Sequence, residues 1–216
     1  MSKTILCDVP MQKIETVSYG GTGNAEIKYA GKVIYPINAV LADRMKKEDD
    51  IKIILLKTKS IKDDLQGNLV ENTRKFKEEL ENINSKIGAK ISYVEIESEF
   101  EETREVLERM LTDILDNIDD KTSILADITY GPKPHQMIVM TALAFADKFF
   151  KANIDTIVYG KVDMIRNKEK YNDERTHPEN PELYDVSFLY YLTNLTKMIE
   201  VLSREMAMEL LKKFLD

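Results

Sequence analysis

Short apolar runs and helical patterns alternate along the first three quarters of the chain. Continuous apolar runs are typical of strands buried on both faces of a sheet, and they predict strands at residues 4–9, 51–56, 90–96, 123–127 and 155–159. Apolar residues spaced three and four apart predict helices between them, at residues 37–45, 60–87, 103–118 and 137–150. This alternation predicts right-handed βαβ units, and therefore an α/β Rossmann-like three-layer sandwich with a mainly parallel central sheet.

Local signals refine the element boundaries. Ser60 and Asp63 resemble a capping box at the start of the long second helix, which Gly67 is expected to interrupt. Residues 26–29 and 32–35 are typical of a hairpin or of an extended loop.

The last quarter of the chain has a different character. Residues 166–185 are polar, contain Pro178 and Pro181, and predict a loop. Residues 186–216 return to a helical pattern that is too apolar for a lone surface helix. We therefore expect a Rossmann-like domain at residues 1–165, a polar loop at 166–185, and a C-terminal helical segment at 186–216 that packs on the domain or on a partner.

Composition and charge exclude several classes of protein. A chain of 216 residues with 43% hydrophobic content is sufficient for one core. Cys7 is the single cysteine, so the chain forms no internal disulfide and no cysteine-based zinc cluster. Neither a signal peptide nor an apolar run of membrane-spanning length is found, which predicts a soluble cytoplasmic protein with no membrane partner. The net charge of −7 argues against sequence-independent binding to long nucleic acid.

The turn between the fourth predicted strand and the next helix carries the most informative pattern. An apolar run stops at Asp127, a turn with Thr129 and Gly131 follows, and Lys133 and His135 precede the helical pattern. In open α/β sheets, ligands bind at the carboxyl ends of strands, where exposed N–H groups and the helix dipole favour anions. A phosphate-bearing ligand is therefore the first expectation, with Lys133 and His135 as the charges that hold it.

A second candidate region is the glycine cluster of Gly20, Gly21 and Gly23. Such a cluster permits close approach of the backbone to a ligand, although a plain glycine-rich turn is the alternative. It matches neither the dinucleotide-binding fingerprint nor the Walker loop. Tyr159 and Gly160 end the fifth predicted strand at the same edge of the sheet, where the tyrosine could stack on a base or simply be a core aromatic residue.

These segments resemble the CRISPR-associated Rossmann-fold (CARF) proteins. The resemblance rests on four segments that follow the order and spacing of that family: residues 20–24 (Gly-Gly-Thr-Gly-Asn), 29–35 (with Tyr29, Gly31, Lys32 and Tyr35), 127–131 (Asp-Ile-Thr-Tyr-Gly) and 158–160 (Val-Tyr-Gly). It covers roughly residues 1–165 and is greatest with the branch that includes the Csm- and Csx-type accessory proteins. Tyr130 departs from the family pattern, because a histidine usually stands there.

The resemblance implies a two-fold dimer that binds a ring of four or six 3′,5′-linked adenylates across its interface, in type III CRISPR antiviral signalling. It implies neither a cofactor nor a metal. Ligand contacts are then expected from the glycine cluster, from the turn after the fourth strand and from the end of the fifth, namely Gly20, Gly21, Thr22, Gly23, Asn24, Asp127, Thr129, Tyr130, Gly131, Pro132, Lys133, Tyr159 and Gly160.

A nearly bare domain of this family implies a ring nuclease that cleaves its own activator without a metal. A ribose 2′-OH would attack the adjacent phosphate in line. Lys133 would stabilise the charge that builds on the phosphate, His135 would move a proton, and Thr22 or Thr129 would orient the nucleophile. The structural alternatives are a first-turn helix residue for His135 and a turn cap for Thr129.

Two other functions stay open. One is a non-catalytic sensor whose C-terminal helix, residues 186–215, relays ligand binding to an effector partner. The other is an unrelated Rossmann-like enzyme that uses a mononucleotide or dinucleotide in a monomeric pocket. Turnover of the ring separates the nuclease from the sensor, and a preference for the cyclic ligand separates both from the third function.

Overall fold

The fold is built on a six-stranded sheet. The computed structural model describes residues 1–60, 62–166, 170, 176–198 and 203–215. In chain order the strands are β1 (Ser2–Asp8), β2 (Asp50–Thr58), β3 (Lys90–Ser98), β4 (Ser123–Asp127), β5 (Asn153–Arg166) and β6 (Thr176–Asp185). Their spatial order is β3-β2-β1-β4-β5-β6, with β1 to β5 parallel and β6 antiparallel to β5.

Helices cover both faces of this sheet. They are α1 (Pro36–Arg44), α2 (Asp63–Asn84), α3 (Arg104–Asp116), α4 (Lys133–Phe145), α5 (Ser187–Met198) and α6 (Arg204–Leu215), and a π-helical turn, Ala146–Phe150, continues α4. One apolar cluster joins the sheet to α1, α2 and the long connection after β1, and a second joins it to α3, α4 and Tyr190 of α5. The molecule is therefore an α/β Rossmann-like sandwich, as predicted.

Burial explains why the regular elements form where they do. Ile53, Ile54 and Leu55 of β2 are fully buried because this strand lies inside the sheet with helices on both faces. At the start of α3, the Thr103 hydroxyl accepts a hydrogen bond from the Val106 N–H at 3.4 Å, which caps the helix.

Two predicted helix starts are wrong. The first residue of α2 is Asp63, its N-cap Lys62 makes no side-chain cap, and the Ser60 hydroxyl accepts from the Lys62 N–H at 3.2 Å instead of capping the helix. Helix α2 also continues through Gly67, at an exposed position where a side chain is not needed for packing. Helix α4 begins at Lys133, four residues earlier than predicted. Pro134 is tolerated in its first turn because the backbone N–H that proline lacks would have no hydrogen-bond partner within the helix.

The predicted polar loop is also partly wrong, because residues 176–185 form β6. The prolines are compatible with this strand: it lies at the edge of the sheet, and the register shifts opposite Lys161 and Asp163. Residues 167–169 and 171–175 of that loop lie outside the described residues. The predicted C-terminal helical segment is divided into α5 and α6.

The connection between β1 and α1 is an extended loop rather than a hairpin. Val33 forms an isolated antiparallel bridge with Val17, so residues 32–35 pair with an earlier segment and not with residues 26–29. Within the part of the chain that the structure describes, no helix combines the length and apolar character that crossing a membrane requires.

Candidate functional site

The candidate site lies at the point where the strand order reverses. β1 and β4 are neighbours in the sheet, and Cys7 of β1 is in register with Asp127 of β4. The connections from these two strands lead to β2 on one side and to β5 on the other. Asp8 and Asp127 therefore end adjacent parallel strands at the crevice where ligands of open α/β sheets bind.

Two cavities adjoin at this edge. The smaller, of about 370 Å³, is lined by Val9, Pro10, Met11, Gln12, Ile14, Thr58, Thr129, Tyr130, Gly131 and Pro132. The larger, of about 530 Å³, is lined by Gln12, Lys13, Ile14, Glu15, Val17, Tyr19, Thr129, Tyr130, Tyr159, Gly160, Lys161, Val162, Met164, Thr176 and Pro178. Because Thr129 and Tyr130 line both cavities, we name the two together the switch-point cleft.

The turn after β4 is tied to the elements around it. The Asp127 carboxylate accepts hydrogen bonds from the N–H of Thr129 at 2.9 Å and from the N–H of Ile37, in the first turn of α1, at 3.1 Å. The Thr129 hydroxyl accepts from the Gly160 N–H at 2.7 Å. These bonds join α1, β4 and β5, so the floor of the cleft is preorganised.

Burial determines the protonation of Asp127. Because the carboxyl is removed from water, its pKa is raised to about 6, although the hydrogen bonds from Thr129 and Ile37 favour the charged form. Gly131 lies beside the second carboxylate of the cleft: its φ is +90°, and a Cβ there would overlap the Asp8 side chain. Glycine is therefore required at this position.

His135 pairs with Asp8 beneath the cleft. His135 Nδ1 lies 2.9 Å from Asp8 Oδ1, and Gln136 Nε2 donates to Asp8 Oδ2 at 3.0 Å. Burial raises the pKa of Asp8, and the hydrogen bond with His135 opposes that rise. Ser98 Oγ lies 3.5 Å from His135 Nε2, so the imidazole lies between a serine and an aspartate side chain, as in a Ser-His-Asp triad. All three side chains are buried, so none of them is exposed to a substrate in this arrangement.

Lys133 has a different position from His135. It is the first residue of α4 and its side chain is exposed, and it directly follows Pro132, which lines the smaller cavity. In the described part of the chain, neither Lys133 nor His135 lines the cleft. The proposed catalytic roles of both residues stay predictions.

The glycine cluster packs against β6. The N–H of Gly21 donates to Ile27 O, and that of Asn24 to Leu183 O, at 3.0 and 3.1 Å. The Thr22 hydroxyl donates to the Tyr19 carbonyl at 2.8 Å. These donors are used within the protein, and residues 20–24, all of which are described, lie outside the lining of the cleft.

Three tyrosines face the larger cavity from different elements. Tyr159 of β5 is 40% exposed, which leaves its ring available for stacking. The Tyr130 hydroxyl donates to Ile34 O at 2.9 Å. Tyr19 is fully buried, and its hydroxyl has no hydrogen-bond partner among the described residues.

Of the predicted ligand residues, the structure brings Thr129, Tyr130, Gly131 and Pro132 together with Tyr159 and Gly160 around the cleft. Its position at the end of the first predicted strand places the loop of residues 8–12 at the ligand edge, and Gln12 of this loop lines both cavities. Sequence reasoning missed Lys13 and Ile14, which follow this loop, and it missed Lys161 after Gly160. The only signal for them was their place directly after a predicted strand end, because polar loop residues without a motif have no distinctive pattern.

Comparison with known proteins adds no assignment. Among the described residues, no group of three or more His, Cys, Asp or Glu side chains could hold a metal ion. No protein-family model matches the chain, and no curated protein is significantly similar to it.

Proposed function

We propose that the chain binds a cyclic oligoadenylate in the switch-point cleft, as a cytoplasmic two-fold dimer of the CARF type. The observation that carries the proposal is the position of the cleft: two adjoining cavities lie at the carboxyl ends of β1 and β4, lined by the turn that bears Thr129 and Tyr130. That turn is also one of the segments on which the resemblance to the family rests.

The lining suits a nucleotide. The larger cavity combines apolar side chains with an exposed tyrosine, Tyr159, which can stack on a base. Lys13 and Lys161 line this cavity and are exposed, so their ammonium groups can contact phosphate oxygens; Lys161 would exchange its ion pair with Glu182, at 2.8 Å, for the phosphate. A volume of about 530 Å³ is that of a site for one drug-sized ligand. A ring of four or six nucleotides is much larger, so it would require two copies of the cleft related by a two-fold axis.

Cleavage of the ring is the second part of the proposal. The 2′ oxygen would form a bond to the adjacent phosphorus while the bond to the 5′ oxygen breaks, and the proton of the 2′-OH would end on the 5′ oxygen. Lys133 does not line the cleft, but it is exposed and directly follows Pro132 of the lining, so it is the better candidate for the cation. Burial disfavours His135 as the proton carrier. Thr129 lines the cleft and is the better placed of the two hydroxyl candidates, because Thr22 lies outside it.

A sensor without turnover is the alternative, and one observation favours it. The apolar side chains of Met206, Leu210 and Phe214, spaced four residues apart on one face of α6, are exposed. Such a face is typical of a helix that binds a partner, so ligand binding could be passed to an effector through α6.

The test is titration of the protein with cyclic tetra-adenylate and hexa-adenylate in EDTA, with binding followed by calorimetry and products by chromatography. We expect binding of one ring per two chains, and we expect Lys161→Ala to weaken it. Lys90→Ala is the control, because Lys90 begins β3 at the opposite edge of the sheet. Linear products would establish the nuclease, binding without products would establish the sensor, and binding of neither ring would sink the proposal.

A further inference from the structure

Asn72 is a buried amide on α2 that is directed at the wall of the cleft. Its side chain is 2% exposed, and Nδ2 donates hydrogen bonds to the carbonyls of Pro10 and Gln12, both at 2.8 Å. The main-chain carbonyl of Asn72 accepts a further hydrogen bond from the Tyr35 hydroxyl at 2.9 Å, which fixes the backbone from which the amide extends. A buried donor that is fully used in this way holds both of its partners in place, since breaking either bond leaves a polar group unpaired.

The segment that Asn72 holds forms one wall of the switch-point cleft. Residues 9–15 contain no helix or strand, and they line the smaller cavity through Pro10 and Met11 and the larger one through Lys13 and Glu15. Gln12, whose carbonyl is bound to Asn72, lines both cavities. Without a backbone ladder, the shape of this segment depends on side chains that bind its carbonyls.

The opposite wall of the cleft, formed by the turn after β4, packs against Tyr35, the same residue that binds Asn72. The Tyr35 ring packs edge-on against Phe76 of α2, with centroids 4.8 Å apart, and against Tyr130, with centroids 5.7 Å apart. Tyr130 belongs to the turn after β4, and its hydroxyl donates to Ile34 O at 2.9 Å. Asn72 and Tyr35 therefore connect the two walls between which a ligand would lie.

We infer that Asn72 is a positioning residue, which sets the shape of residues 9–15 and through it the affinity of the cleft. The inference rests on the proposed function for its ligand, but the hold on residues 9–15 is a property of the free protein. This also gives Tyr130 a physical role where the CARF pattern has histidine: its hydroxyl and ring fix the second wall of the cleft.

The test is Asn72→Asp, which keeps the shape of the side chain but replaces the donor by a carboxylate that faces two carbonyl oxygens. We expect the amides of residues 11–15 to exchange hydrogen about tenfold faster at pH 7.5, and ring affinity to fall about tenfold. At pH 5.5 the introduced carboxyl, whose pKa burial raises, regains a proton and one donor, so both effects should shrink relative to the original protein. A change in packing around residue 72 that did not involve the lost donor would give the same effects at both pH values.

Asn82→Asp is the matched control, because Asn82 is exposed on the same helix and lines a different cavity, beside Lys86. Tyr35→Phe removes only the hydroxyl that donates to the main-chain carbonyl of Asn72. If Asn72→Asp does not fold, this variant should speed the same exchange by a smaller factor, because the backbone that carries the Asn72 amide is held less firmly. Unchanged exchange at residues 11–15 in the folded variants would overturn the inference. Faster exchange with unchanged ring affinity would overturn the positioning role. If the original protein binds neither ring, the proposed function fails, and the exchange rates alone still decide whether Asn72 holds the wall.

Discussion

His135 Nδ1 lies 2.9 Å from an Asp8 carboxylate oxygen, and each of the two side chains is only 1% exposed. The pair ties the first turn of α4 to the end of β1, directly beneath the switch-point cleft. An imidazole held in this way cannot turn toward a ligand without breaking a buried hydrogen bond, which is costly. We therefore expect the main contribution of His135 to be to the stability of the fold.

The first prediction compares His135→Ala with Lys133→Ala. His135→Ala leaves a buried carboxylate with one partner fewer and is expected to lower the free energy of unfolding by roughly 3–5 kcal/mol. Lys133→Ala removes an exposed side chain and should change it by no more than about 0.5 kcal/mol. Urea unfolding of the three proteins measures both values. A stable His135→Ala variant that has lost ring cleavage would restore the catalytic role instead.

Residue type at a strand end was readable from the sequence, but the direction of each side chain was not. The pattern correctly placed Asp127 at the end of a strand, and Thr129 and Gly131 in the turn that follows it at the carboxyl edge. It could not reveal that His135 points inward, because its partner Asp8 is contributed by a strand far away in the chain. Asn72 was missed for the same reason: a polar residue in a long helix has no motif, and its partners become visible only after folding.

The second prediction concerns pH. Burial raises the pKa of folded Asp127 from its ordinary 3.8 to about 6, so between these values the folded protein holds a proton that the unfolded chain has released. The resulting stabilisation, roughly 3 kcal/mol, is complete below about pH 4 and is lost as the pH rises through 6.

Asp127→Asn removes this titration. The free energy of unfolding of the variant should lie furthest below that of the original protein near pH 4. This difference between the two proteins should shrink by roughly 3 kcal/mol by pH 7. Asp116→Asn is the control, because Asp116 is exposed on α3 and should give a constant offset. Unfolding curves in urea at pH 4, 5, 6 and 7 measure the gap, and a constant gap for Asp127→Asn would disprove the assignment.

The third prediction separates two glycines of the same loop. Gly21 and Gly23 both have positive φ, +73° and +69°, but a Cβ on Gly21 meets open space, whereas one on Gly23 would overlap the Leu183 carbonyl. Gly21→Ala should therefore cost only the backbone strain, about 1–2 kcal/mol. Gly23→Ala should cost clearly more, because β6 must also move. Thermal unfolding of both variants measures the difference, and equal midpoints would refute the close packing.

The fourth prediction is that removing the hydroxyl group changes the free energy of unfolding in opposite directions at two tyrosines. The buried Tyr19 hydroxyl has no partner in the described part of the chain, so Tyr19→Phe should raise the free energy of unfolding by about 1 kcal/mol or more. The Tyr130 hydroxyl donates to Ile34 O, so Tyr130→Phe should lower it by about 1 kcal/mol. Denaturant titration tests both, and a destabilised Tyr19→Phe would mean that the hydroxyl has a partner in solution.

The parallel core of the fold was predictable, but its last strand was not. The apolar runs of β2 and β4 are signals within single segments, and the structure confirms both strands. β6 has no such signal, since its prolines and charges are typical of loops. It becomes a strand only because β5 continues to Arg166 and offers an edge with which residues 176–185 pair. A strand that forms only because a segment distant in the sequence pairs with it cannot be predicted from the pattern of its own residues.

The contact between the glycine cluster and β6 bears on aggregation. Gly23 bridges to Leu183, and the Asn24 N–H donates to the same residue, so the outer edge of the sheet is covered at this point. The other outer strand, β3, carries Glu95 and Glu97, charges that disfavour pairing with a further strand. Growth of the sheet from chain to chain is thus opposed at both ends, and copies of this protein should associate through helices and loops, without forming a continuous sheet.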